Sequence, residues 1–406
     1  MSPTQSSQTP LPLQGVRVLD VATMLAAPFC ACILGDFGAE VIKVEMPGTG
    51  DPFRKFGTMT ATGSSLNWLN DDRNKKSITL DLRKPQGAAI LKRLVADCDI
   101  MVENFRPGTL ERWGLGYATL KTIKDDLILV QISAYGQDGP YRDRPGFARI
   151  AHAFSGLAYL AGEAGGRPVM PGSTSLADYI SGLYGALGAL LAYTSRERYG
   201  IGQTIDIALY EGIFRMLDEL APAYAKSGFI RERMGADTVN IVPHSHYQTR
   251  DEKWVALACS TDKMFVRLAS VMGRPDLLSA DRFATMAQRE AKRDEVNRIV
   301  ADWIGSLTRD EVMQVCLAGE VPLGPINSVA DLFEDEQFKA RHNLLKVQDP
   351  REGEVVIPNV VPRLSETPGQ FAWLGPDLGQ HNDEIYRERL GLTDLELQDL
   401  RAAGVI

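Results

Sequence analysis

VRVLDVATMLAAPFCACILGDFGAEVIKVE, residues Val16 to Glu45, sets the fold class. Val16 to Asp20 is a short apolar run with strand character. Ala26 to Gly35 is rich in small and apolar residues without a turn signal and predicts a helix. Glu40 to Glu45 (EVIKVE) predicts a second strand. A strand, a helix and a strand in so little chain form a βαβ unit, whose crossover makes the two strands parallel. The pattern continues outward. Pro85 to Cys98 carries Ala88, Ile90, Leu91, Leu94 and Val95 at helical spacing. Asp99 to Val102, Leu127 to Ala134 and Gln203 to Leu209 are further predicted strands. The expectation is an α/β domain built on a parallel sheet flanked by helices.

No common cofactor fingerprint accompanies that sheet. Leu25-Ala-Ala-Pro28 stands where a dinucleotide-binding loop would place GxGxxG, and GxxxxGK[ST] and HExxH are absent. GxSxG is absent too, which argues against a serine hydrolase of the α/β type. Of 406 residues, 44% are hydrophobic and 24% charged, with a net charge of -8. That balance suits a soluble globular chain and lacks the basic excess of a nucleic-acid binder. Anionic ligands must therefore meet local Lys and Arg groups. Five cysteines (Cys30, Cys32, Cys98, Cys259, Cys316) are scattered and odd in number, with no metal-site spacing, and predict free thiols in a reducing cytoplasm. The start, MSPTQSSQTPLPLQ, has no apolar core of a signal peptide. Ile180 to Tyr193 is the most apolar stretch, but Gly182, Gly185 and Gly188 interrupt it and it is too short to span a bilayer. It predicts a buried helix whose glycines permit close packing.

Domain organisation follows from texture. Residues 1–13 are expected to be a disordered lead-in, and 14–228 the large domain. Near residue 230 a loop-rich stretch leads to a strand at Val255–Cys259 and helices near Asp262–Met272, Ala287–Ile304 and Arg309–Ala318. This predicts a smaller α+β domain over 229–328. The remainder, 329–406, is polar and Pro-rich, with a last helix at Asp394–Ala403.

Four groups could carry chemistry. Lys43 to Asp51 is a turn after the second strand. Arg73 to Arg83 is a local basic cluster. Val102-Glu-Asn-Phe-Arg-Pro-Gly108, followed by Arg112, lies just past a strand end, where open α/β sheets bind ligands. Phe105 could stack on a purine beside guanidinium groups, or sit in the core while the charges form a solvated face. The fourth group is Asp178, where a Gly/Ser-rich loop (PVMPGSTSLAD) runs into a helix. Ser175-Leu-Ala-Asp178 fits a capping box. The same carboxylate could act as a nucleophile toward an acyl group, and its place in the first helical turn favours the anion.

The chain resembles the family III CoA-transferases, the group that includes formyl-CoA and L-carnitine CoA-transferases. The resemblance is carried by PLQGVRVLD, AAPFCACILGDFGAEVIKVE, Gly50-Asp51, NKKSITLDL, VENFRPG, the Asp178 segment, GQTIDIAL, VPLGPINS and LGPDLGQHNDEI, in order over residues 12–406. It implies a Rossmann-like large domain, a smaller domain, a C-terminal segment returning to the large domain, and an interlocked dimer. It implies Asp178 as nucleophile, with CoA meeting Met24, Leu25, Ala26, Leu80, Arg83, Asn104, Phe105, Arg106 and Arg112. CoA thioesters are then substrates, and neither a permanently bound cofactor nor a metal is expected. Two departures bear on the acid substrate. After Gly146, many relatives carry an acidic or hydroxylated pair, with a Gln six residues further on. Here Phe147-Ala148 and His152 stand at those places. A Gly-rich lid is replaced by Pro243-His-Ser-His-Tyr247. Formyl or oxalate substrates are not expected. Arg149 and His152, three apart and on one face if helical, could hold a second carboxylate. That would suit succinyl-CoA and an acceptor such as malate, citramalate or a substituted succinate. They could instead pair elsewhere and pack at a domain boundary. Two other readings stay open: an α-methylacyl-CoA racemase, which needs a second acid/base group opposite Asp178, and a CoA-binding subunit of a heteromer. The partner could be a second copy or a paralogue. No nucleic acid or membrane is expected.

Overall fold

A computed structural model describes residues 10–406; the lead-in expected over 1–13 lies outside the described residues as far as residue 9. Residues 10–13 depart from that expectation. Leu13 is buried, and its N–H donates to Phe37 O at 3.0 Å, so the apolar pair Leu11 and Leu13 ties this stretch to the core.

Six parallel strands form the main sheet: β1 (Arg17–Asp20), β2 (Glu40–Glu45), β3 (Lys75–Thr79), β4 (Ile100–Glu103), β5 (Ile128–Ser133) and β6 (Thr204–Ala208). Their order is β3-β2-β1-β4-β5-β6, with Leu19 registered on Ile42 to one side and Met101 to the other. The central strands are buried on both faces, which explains their unbroken Val/Ile/Leu character. Chain order reverses between β1 and β4. In such sheets that switch point opens a crevice at the carboxyl ends of the strands.

Helices cover both faces. Helix α1 (Ala26–Asp36) follows β1, and α2 (Pro85–Val95) follows β3. Later come α3 (Ala148–Phe154) and the 24-residue α4 (Leu176–Tyr199), closed by Gly200 in the left-handed conformation. The glycines of α4 face inward as the spacing predicts. A Cβ on Gly182 would lie 2.5 Å from Ala26 O, and one on Gly185 would lie 3.2 Å from Cys30 Sγ. Gly182→Ala therefore forces α1 and α4 apart. We expect a loss of about 1–3 kcal/mol, the range for overpacking, read as a lowered urea midpoint.

β3 was read in the sequence only as part of a basic cluster. It is the sheet edge, and its cations are not a solvated face. Lys75 is fully buried, with Nζ 3.0 Å from Asp20 Oδ2, 2.7 Å from Asp72 Oδ1 and 2.8 Å from Pro28 O. Lys43 on β2 is equally buried between Asp20 (3.5 Å) and Asp51 (2.9 Å). Arg73 forms a two-pronged pair with Asp36 at 2.9 and 2.6 Å.

The segment 342–406 explains how the edge is protected. After the hairpin of Leu344–Asp349 with Gly353–Pro358, its side chains replace a seventh strand. His381 Nδ1 accepts the Ser77 N–H (3.0 Å), Asn382 Oδ1 accepts the Thr79 N–H (2.9 Å), and Tyr386 Oη donates to Thr79 O (2.7 Å). These contacts satisfy an edge that would otherwise pair with another chain. His381 must be neutral to accept there, and burial lowers its pKa. Its contribution is complete above the ordinary histidine value near 6.5 and is lost as pH falls below it. Asn at this place accepts at any pH. The stability difference between the wild type and His381→Asn should therefore shift toward the variant between pH 7 and pH 5, as measured by urea midpoints.

The chain divides into two compact units. One comprises residues up to Ala158, Met170–Gly228 and His342–Ile406; the other comprises Tyr159–Val169 and Phe229–Arg341. The second thus ends later than residue 328 and takes in a loop that sequence texture assigned to the large domain. It holds an antiparallel sheet of His244–Gln248, Trp254–Ala258 and Leu323–Pro325. The helix expected over Ala287–Ile304 breaks at Lys292. There Thr285 and Gln288 cap a short helix that buries Arg289, which donates to Val242 O, Phe283 O and Asp262. Among the described residues no helix is long and apolar enough to cross a membrane, and all five cysteines are free and buried.

Candidate active site

The switch point is held open by its own side chains. Asn104, just past β4, reaches across to the loop after β1. Its Oδ1 accepts the Thr23 N–H at 2.8 Å and its Nδ2 donates to Thr23 O at 2.6 Å. Asp51 Oδ1 accepts the Met24 N–H (3.0 Å) and the Phe53 N–H (2.9 Å). Met24 sits at φ +64°, a left-handed conformation that costs energy for a side chain of this kind and persists only where the surroundings hold it. Those surroundings are the buried ions beneath: Lys43 Nζ donates to Ala22 O at 2.7 Å and pairs with Asp51. Lys43 and Asp51, singled out in the sequence as possible ligand groups, are thus the support of the loop.

Two adjoining cavities open at these loops and share Thr23. The first, of about 130 Å³, is lined by Met24, Leu25, Ala26, Asn104, Ser133, Gly146, Phe147, Ser175 and Asp178, among others. The second, of about 270 Å³, is lined by Glu45, Gly50, Asp51, Leu80, Arg83, Phe105 and Trp113, among others. Seven of the nine residues expected to meet CoA therefore fall on the walls of one or the other. Arg106 and Arg112 line neither; both are exposed, and Arg112 donates to Thr109 Oγ1 at 2.8 Å. Arg83 is held by Asp81 through two contacts of 2.8 and 2.9 Å.

Sequence reasoning missed Trp113, whose ring meets Phe105 edge-on at 5.1 Å. Nothing local marks Trp113. Glu45, within the Lys43–Asp51 group, clamps Arg54 at 2.7 Å on each oxygen and accepts the Asp51 N–H at 3.0 Å.

Asp178 is the one ionisable side chain on the wall of the first cavity among the described residues. The capping box is not formed. Ser175 stands at the helix start with no side-chain cap hydrogen bond, and Asp178 turns into the cavity. The helix position favours the anion, but removal from water acts the other way and pushes the carboxyl up to about 7. A carboxylate poised near neutrality in a cleft is a mark of a working group. Next to it, Tyr179 Oη donates to Asp71 Oδ2 at 2.9 Å and the ring meets Phe29 edge-on at 4.9 Å.

Arg149 and His152 are not brought to this cavity. Both lie on α3, yet Arg149 is exposed while His152 is buried and turned toward α4. His152 Nε2 accepts the Ala177 N–H at 3.0 Å. That contact turns the ring to the start of α4. The three-residue spacing placed the pair on one helix but could not say which way each turned.

The model of CoA-transferase family III matches residues 13–382. The chain belongs to that family. It is 53% identical to the alpha subunit of succinyl-CoA–L-malate CoA-transferase from Chloroflexus aurantiacus, over 100% of this chain and 95% of the relative. It is 54% identical to the beta subunit from the same organism, over 98% and 99%. Among solved structures, a CAIB/BAIF family protein from Brucella suis is similar at a TM-score of 0.83 and 34% identity, over 93% of this chain and 99% of that one. This family III CoA-transferase has the α/β fold on a parallel sheet that was expected, and the sheet has six strands.

Proposed function

We propose that the enzyme moves CoA from succinyl-CoA to a dicarboxylic acid, with L-malate as the first candidate and citramalate or a substituted succinate next, through covalent intermediates on Asp178. The observation that carries this reading is Asp178 as the one ionisable wall residue, among the described residues, of a cavity that adjoins a second one lined by Leu80, Arg83 and Phe105. The Asp178 carboxylate attacks the thioester carbonyl: a C–O bond forms, the C–S bond breaks, and CoA thiolate leaves a mixed anhydride behind. The thiolate attacks the aspartyl carbonyl, releasing succinate and leaving an aspartyl-CoA thioester. A carboxylate of the acceptor attacks that thioester, and the freed thiolate then takes the acceptor's carbonyl from the second anhydride. The new thioester departs and the Asp178 carboxylate returns. No proton or electron is gained or lost, and the thioester bond energy is conserved throughout.

CoA lies with its reactive end at Met24, Leu25 and Ala26 and its nucleotide at Leu80, Arg83, Asn104 and Phe105. Arg106 and Arg112 reach the phosphates from outside the cavity. The names of the relatives support succinyl-CoA and a dicarboxylate. The enzyme works as a dimer of this chain or with a paralogous subunit. Leu183, Leu187 and Leu191, 52%, 50% and 63% exposed along one side of α4, form a stripe that suits a covered face. A racemase needs a second acid/base group at the cavity; Phe147 follows Gly146, and His152 faces away.

The test is an assay with succinyl-CoA and a panel of acids, with the acyl-CoA products separated by chromatography. The expected products are dicarboxyl-CoA esters. Products from monocarboxylates alone contradict the acceptor class. Exchange of an α-proton on a branched acyl-CoA, without transfer, replaces the reading with the racemase.

A further inference from the structure

The first turn of α4 carries Asp178, and among the described residues no group hydrogen-bonds its carboxylate. Its place is therefore set by the backbone. The first N–H groups of any helix lack partners within the helix. Ser175 does not supply one. Ala177, the residue before Asp178, is fully buried, so water cannot serve its N–H either. His152 Nε2 serves it at 3.0 Å, from a ring that is 1% exposed on the neighbouring α3.

We propose that His152 is a positioning residue of the transferase: its neutral imidazole caps the helix at Ala177 and thereby fixes the direction in which Asp178 enters the cavity. The inference rests on Asp178 as the nucleophile. Acceptance at Nε2 places the ring proton on Nδ1, so the ring is held as one tautomer. Without the acceptor, a buried donor is left unpaired. The turn then relieves itself by shifting, and Asp178 moves with it. Tyr179, tied to Asp71, anchors the turn on its other side, so the disturbance centres on residues 177 and 178 and does not unravel α4. The two cavity walls that receive CoA come from the loops after β1, β3 and β4, which His152 does not touch. The effect therefore falls on the chemical steps and not on the demand for CoA ester.

The experiment compares His152→Leu, which fills the space without an acceptor, with His152→Gln, whose amide oxygen can reach the same N–H, and with Asp178→Ala. The rates measured are kcat and the succinyl-CoA KM, with the thermal midpoint of each variant. We expect His152→Leu to lose about 10- to 100-fold in kcat, the scale of a small misplacement of a reacting group, with KM within about twofold of the wild type. His152→Gln should restore most of the lost rate. If His152→Leu fails to fold, His152→Asn, too short to reach, takes its place against His152→Gln. Equal kcat in the variant lacking the acceptor and in His152→Gln overturns the positioning role, as does a loss confined to KM. An Asp178→Ala enzyme that still turns over at the wild-type rate overturns the reading beneath it, whatever His152 does.

Discussion

Asp178→Ala should lower transferase turnover by at least about 10⁴-fold, the scale on which loss of a covalent nucleophile operates. The cavity offers no substitute: its other wall residues are apolar, amide or hydroxyl groups. Asp178→Asn should be equally inactive, and its stability distinguishes a working carboxylate from a structural one. Burial holds the Asp178 carboxyl up to about 7. A group raised in the folded state favours the protonated fold, so its ionisation costs stability as pH rises from the ordinary carboxyl value through that of the folded chain. At pH 8 the wild type bears a partly desolvated anion that Asn removes. Asp178→Asn should therefore melt higher than the wild type at pH 8 and gain little at pH 5. A capping carboxylate predicts the opposite, a loss on substitution. The same shift predicts that kcat/KM of the wild type rises with pH through about 7, because the free enzyme attacks as the anion.

Lys75→Met should have the largest effect on stability. Lys75 is enclosed, with two carboxylates and a carbonyl on its ammonium. Removing it leaves Asp20 and Asp72 facing a low-dielectric interior with one cation fewer, and burial already pushes Asp72 up to about 7 with Lys75 present. Breaking a buried pair from one side costs about 3–5 kcal/mol. The loss should persist in high salt, because buried charges are poorly screened. Replacing the partner as well, as Asp72→Leu with Lys75→Met, should recover part of it. Urea denaturation of the single and double variants measures both. A Lys75→Met chain within about 0.5 kcal/mol of the wild type, the range of ordinary surface substitutions, contradicts this account of the edge strand.

Those lysines mark where sequence reasoning stopped. Short apolar runs sufficed for β1, α1, β2, β4 and β5, because elements buried on both faces are written almost without polar breaks, and alternation sufficed for β6. Neither signal found β3, where Arg73-Asn-Lys-Lys reads as a ligand-facing cluster unless Asp20, Asp36 and Asp72 are known to lie opposite. The partners are separated by 3 to 55 residues, so their pairing is a property of the fold. His381 and Asn382 likewise act through the edge of β3, some 300 residues away. The site was legible where a motif sits at a strand end, as Asn104 and Phe105 do. It was illegible where orientation decides, as it does for Arg149 and His152 on one short helix. Asp178 lay between these cases. Its segment alone favours a cap over a nucleophile, and only the structure shows that Ser175 forms no side-chain cap there.

The most direct measurement is mass spectrometry of the enzyme after incubation with succinyl-CoA, with and without hydroxylamine. A hydroxylamine-sensitive CoA or acyl adduct on the peptide containing Asp178, absent from Asp178→Ala, is the predicted result. Transfer that proceeds with no adduct, or with an adduct on another residue that survives in Asp178→Ala, would contradict the account.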